Sequence, residues 1–98
     1  MAPFNTPAIE RLFAAILQLE TQEDCQRFFE DICTIKEVKD MSQRLHAAIL
    51  LDEGEGYQTI SEQVGISTAT ISRVSRCLNY GAGGYRQAID KLKEEDLI

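Results

Sequence analysis

Apolar residues return along this chain at intervals of three and four and do not alternate with polar ones, which marks helices and not strands. Ile9, Leu12, Phe13, Ile16 and Leu19 form a first stripe. It predicts a helix starting near Pro7, capped by Asn5 or Thr6, with proline in the first turn where its missing N–H costs nothing. Thr21 opens a second helix whose stripe is Cys25, Phe28, Phe29, Ile32 and Cys33. Thr34-Ile-Lys-Glu37 has the form of a capping box, each end's side chain reaching a backbone donor at the other. The third helix it opens carries Val38, Met41, Leu45, Ala48 and Ile49 on one face, with Ala47, Leu50 and Leu51 around it. That perimeter is wider than one flat partner requires, and predicts contact from several sides, a second subunit included.

Asp52-Glu-Gly-Glu-Gly56 breaks this helix with two glycines among solvated acids. A fourth helix is expected from about Tyr57 to Val64 and a fifth from about Ser67 to Leu78. Gly81, Gly83 and Gly84 mark a flexible turn before a last helix, roughly Tyr85 to Glu94, that buries Tyr85, Ala88, Ile89 and Leu92. Lys93 to Ile98 reads as a fraying, solvated end. The fold class is all-α, with six helices.

Ninety-eight residues, 44% of them hydrophobic, suffice for one domain, 1–98, and a core of marginal depth. No apolar run approaches the roughly 18 residues of a membrane span, and the N-terminus lacks the basic cluster of a secretory signal. A soluble, cytoplasmic protein is expected. In that setting Cys25, Cys33 and Cys77, without CxxC spacing, read as reduced, buried small hydrophobes. No metal site or cofactor is expected.

The formal charge of −6 and a pI near 4.7 argue against nucleic acid as a partner, since phosphate binding is largely electrostatic. The distribution of charge along the chain points the other way. Residues 1–55 hold eleven acids against five bases, whereas residues 56–89 hold one acid, Glu62, against Arg73, Arg76 and Arg86.

Inside this less acidic stretch, Tyr57 to Leu78 has what two helices joined by a tight turn must have. Gly65 stands where the turn needs a backbone conformation that glycine reaches cheaply. Ser61 is small where the helices cross, and Ile60, Val64, Ile66, Ile71 and Val74 occupy the inward places. Ser67 caps the second helix. The pattern is that of a helix-turn-helix. Outward on its second helix stand Thr68, Ala69, Thr70, Ser72, Arg73 and Arg76, with no acid among them. Such a face approaches phosphates and base edges without repulsion, and arginine pairs bidentately with guanine.

The run Val64-Gly65-Ile66-Ser67-Thr68-Ala69-Thr70-Ile71-Ser72-Arg73 resembles the turn and recognition helix of the Trp repressor superfamily, and more closely its YerC/YecD branch of TrpR-related proteins. The likeness extends more weakly from about Thr34 to Leu92. It implies a six-helix fold forming an intertwined homodimer, with residues 1–55 as dimerisation helices, 57–78 as the helix-turn-helix and 85–94 as the C-terminal helix. It implies a double-stranded DNA partner, two recognition helices entering successive major grooves of a palindromic site. By matched position, Thr68, Ala69, Thr70 and Ser72 face base edges, Gln58 and Ser61 lie near bases or phosphates, Arg73 and Arg76 are the cationic contacts at the far end, and Ser67 belongs to the same DNA-binding set.

The family's repressors hold an indole between two arginines, which Arg44 and Arg73 match. Val74 stands where the repressor has glycine, and Cys77 where it has a ligand-holding serine. The resemblance therefore implies an effector pocket at Arg44, Arg73, Val74 and Cys77 in which Val74 takes the ring's space. Tryptophan is then not the corepressor, and the pocket is expected to be filled by the protein itself.

A transcriptional regulator, and specifically a repressor, is the leading reading. The alternative is a protein-interaction adaptor that uses the same fold, with the acidic N-terminal half as its surface. Catalysis has little to stand on. His46 is the only histidine and has no nucleophile at readable spacing, and Gly81-Ala-Gly83-Gly84 lacks the lysine and the preceding strand of a phosphate loop.

Overall fold

A computed structural model describes residues 3–98. Its elements are α1 (Pro7–Leu17), α2 (Gln22–Ile32), α3 (Ile35–Asp52), α4 (Tyr57–Val64), α5 (Thr68–Tyr80) and α6 (Gly84–Glu94), with no strand among the described residues. Local chemistry sets most of the boundaries. The Thr6 hydroxyl accepts from the Ile9 N–H at 3.2 Å, and Pro7 follows as the first helical residue. Thr21 accepts from the Asp24 N–H at 3.0 Å. The capping box forms in full: the Thr34 N–H donates to Glu37 at 2.8 Å and the Glu37 N–H to Thr34 at 3.1 Å. The Thr34 backbone N–H, and after it the Thr34 hydroxyl, hold the Glu37 carboxyl below its ordinary range.

The chain divides into two compact units, residues 1–38 and 39–98. In the first, none of the described residues is buried. The stripes of α1 and α2 are half-covered or open: Phe13 is 45% exposed, Leu17 80% and Ile32 51%, and Ile35 at the start of α3 reaches 85%. Within this unit Phe28 and Phe29 meet edge to face, their ring centres 5.5 Å apart.

The second unit has a closed core of Ala47 and Ala48 from α3, Ile60 from α4, Ile71 and Val74 from α5, and Ile89 from α6. Leu50, Leu51, Val64, Ile66, Leu78 and Tyr85 pack around it. On α3 the expected stripe divides: Ala48 is buried in this core together with Ala47 from beside the stripe, whereas Met41 is 39% exposed. Small residues there let the neighbouring helices approach. A second tie is polar. Asp52, at the end of α3, accepts from Arg86 at 2.6 Å and pairs with Lys93, both on α6.

Three sequence expectations change. Cys25 and Cys77 are exposed and Cys33 is half-buried, so none is a buried core residue. Ala88 is exposed, because Ile89 is the residue of α6 turned to the core. The chain end does not fray at once: Asp96 adopts φ +56°, and the Leu97 N–H bonds the Leu92 carbonyl at 2.8 Å, a closed C-terminal turn.

Candidate nucleic-acid interface

α4 and α5 form the hairpin that the sequence pattern describes. α4 ends at Gly65, whose φ of +82° and ψ of +33° lie in the left-handed region, and the Gly65 N–H closes on the Ser61 carbonyl at 2.9 Å. Two half-buried carbonyls of the turn find side-chain donors. Ser61 Oγ donates to the Ile66 carbonyl at 2.7 Å, and Gln43 Nε2, from α3, donates to the Val64 carbonyl at 3.3 Å. Ser67 then caps α5, its Oγ accepting from the Thr70 N–H at 3.2 Å. Ile60, Ile71 and Val74 lock the two helices into the core.

Thr68, Ala69, Ser72, Arg73 and Arg76 are all exposed, and their spacing places them along one side of α5. α5 carries no acidic residue, and its N-terminus, with the partial positive charge of aligned peptide dipoles, begins at Thr68. Other sequence-named residues are placed differently. Ser61 is half-buried, its proton committed to the turn. Thr70 is half-buried, with its hydroxyl 3.0 Å from that of Ser67. Gln58 is exposed, but its amide donates to Glu62 at 3.1 Å, so the outer side of α4 carries a carboxylate. The candidate interface thus lies chiefly on α5.

Arg44, Arg73, Val74 and Cys77 are brought together, as the resemblance implies, around a pocket of about 290 Å³. The expectation that the protein fills it is not met. Val74 turns into the core, 2% exposed, and forms a wall, leaving the space beside it open. Sequence reasoning missed Gln43, Asp40, Ile66 and Tyr85, which complete the lining. Burial raises the Tyr85 phenol above its ordinary value while nearby Arg44 pulls it down, so the ring presents a neutral hydroxyl at pH 7. Thr70 and Arg73 also line the pocket, so its wall and the outer side of α5 share residues. Among the described residues there is no cluster of histidine, cysteine and acid fit for a metal, and no helix long and apolar enough to cross a membrane.

A small helical unit whose glycine turn joins two helices at a buried crossing, with an acid-free second helix outward, is a helix-turn-helix protein. Residues 8–93 match the family profile described as Trp repressor protein, and the chain belongs to that family. It is 50% identical over 88 residues to YerC, an uncharacterized protein of Bacillus subtilis (strain 168), covering 90% of this chain and 85% of YerC. The crystal structure of a TrpR-like protein from Eubacterium eligens ATCC 27750 superposes with a TM-score of 0.89 at 48% identity, over 92% of this chain and 93% of that one. A candidate Trp repressor from Staphylococcus aureus gives 0.89 at 41% identity, over 95% and 96%. The all-α, six-helix fold is therefore that of the Trp repressor family.

Proposed function

We propose that the protein is a sequence-specific DNA-binding transcriptional regulator, a repressor that occupies a palindromic operator as a homodimer. The observation that carries this reading is the exposed, acid-free side of α5 in a chain whose formal charge is −6. On it Thr68, Ala69 and Ser72 offer methyl and hydroxyl groups to base edges, and Arg73 and Arg76 offer guanidinium groups to guanine or phosphate. Ser67 sets the start of the helix, Gln58 and Ser61 flank it on α4, and Thr70 contributes from the edge of the pocket. Repression requires only occupancy of a promoter. The absence of any buried residue among those described in the first unit supports assignment of its apolar stripes to a second copy of the chain.

The pocket at Arg44, Arg73, Val74 and Cys77 is the place for an effector, because a ligand there touches residues that also face DNA. Tryptophan is not assigned to it: Val74 forms a wall of the pocket where the family's repressors have glycine, and Cys77 lacks the hydroxyl of their ligand-holding serine. Titration calorimetry is expected to show no tryptophan binding at micromolar concentrations, and micromolar heat would overturn that assignment.

The DNA reading is tested by Ala69→Glu. Ala69 is exposed, so the change leaves the core intact while placing a carboxylate against the groove. Gel shift on the protein's own selected sites is expected to lose at least about a hundredfold in affinity, from one repelled charge plus one lost contact. Unchanged binding by a folded variant would remove α5 from the interface.

A further inference from the structure

The turn of the helix-turn-helix has one polar tie that its own hairpin does not supply. Gln43 lies 21 residues before Val64 in the chain, half-buried on α3, and its carboxamide donates to the Val64 carbonyl. That carbonyl belongs to the last residue of α4, one of the groups a helix leaves without an internal partner. Ser61, by contrast, serves the Ile66 carbonyl from within the hairpin. α3 also meets the hairpin through apolar packing around Ala47 and Ala48, which is not directional at any one contact. A hydrogen bond is directional and adds to that packing a constraint at one defined atom of the turn.

We propose that Gln43 is a positioning residue: by tying the Val64 carbonyl to α3 it fixes the orientation of the turn, and so of α5 as it meets DNA. The proposal rests on the DNA-binding reading for its consequence, but the tie itself is measurable without DNA. Gln43 also lines the pocket beside Arg44 and Arg73, so the amide stands between the pocket and the turn.

Two variants of the full chain separate donor from bulk. Gln43→Met keeps the length and apolar volume and removes the donor, whereas Gln43→Lys keeps a donor of similar reach and loses the planar amide. Backbone amide exchange over residues 64–70 of the free protein is expected to quicken about three- to tenfold in the Met variant. It is expected to return to within about twofold of wild type in the Lys variant, with helix content and oligomeric state unchanged in both. Affinity for a selected DNA site is expected to fall about three- to tenfold in the Met variant. A packing role gives the opposite order, with Met tolerated and Lys disruptive, and would overturn the proposal. So would wild-type exchange, wild-type affinity or loss of helix content in the Met variant. Failure of the wild-type protein to bind any DNA would overturn the DNA reading instead, and the exchange rates alone would then decide for or against the tie.

Discussion

Replacing Gly65 isolates the energetic cost of the turn from every other effect. Its φ of +82° lies where an L side chain is strained, yet a Cβ built there meets nothing within 4 Å. The cost of Gly65→Ala is therefore conformational and not steric, about 1–2 kcal/mol for one residue held in the left-handed region. For a 98-residue chain that corresponds to a drop of roughly 4–16 °C in Tm, by the usual slope for a domain of this size. Urea or thermal unfolding of the purified protein reads it directly, at fixed concentration so that assembly does not confuse the comparison. The mirror-image substitution sharpens the test. D-alanine, introduced by chemical synthesis, prefers positive φ, finds the same open space and removes some freedom from the unfolded chain, so it is expected to stabilise by about 0.4–1 kcal/mol. If L-alanine is neutral, or if both isomers destabilise equally, Gly65 is not held in the left-handed conformation and the turn geometry is wrong.

Four further outcomes are expected. Arg73→Ala is expected to cost about 1–3 kcal/mol in DNA affinity if that arginine reads a base, seen as relaxed preference at one operator position. Arg76→Ala, as a phosphate contact, is expected to weaken all sequences alike and lower the salt slope by about 1. Ile71→Ala removes most of a fully buried side chain where α5 meets the core, and is expected to destabilise by about 2–5 kcal/mol in a denaturant titration. Arg86 and Lys93 hold the Asp52 carboxyl at about 2, below its ordinary 3.8. Its stabilising contribution is therefore complete above about pH 4 and lost as the pH falls toward 2. Asp52→Asn is expected to cost on the order of 1 kcal/mol at neutral pH, after allowance for the half-exposed cations, and to flatten that part of the acid-unfolding curve.

What the chain displays openly is whatever depends on neighbours three or four residues away. Thr6, Thr21, the Thr34–Glu37 box and Ser67 cap the helices expected of them, and Gly65 turns where the pattern puts it, because each acts on backbone groups within one turn. Periodicity also shows which residues share a helix side, but not which side is covered. Hence Met41 and Ala48 share the expected stripe but only Ala48 is buried, joined by Ala47 from beside it, and Ala88 stands beside Ile89 in the pattern when only Ile89 is buried. The polar ties across the second unit, from Gln43 to Val64 and from Asp52 to Arg86 and Lys93, join residues 21, 34 and 41 apart and carry no local signature. The pocket lies between these cases. Four of its residues follow from the family likeness, but its openness depends on how Val74 is turned about the axis of α5, which three-dimensional packing decides.

The central claim is sequence-specific binding of DNA by a dimer. Its most direct test is selection of genomic fragments by the purified protein at low salt, followed by gel shift of the recovered sites at two salt concentrations. One enriched palindrome is expected, with half-sites about one helical turn apart, bound by two chains. Affinity is also expected to fall steeply with salt. Recovery of no preferred sequence by intact, folded protein would contradict the claim and make the fold a scaffold for a protein partner.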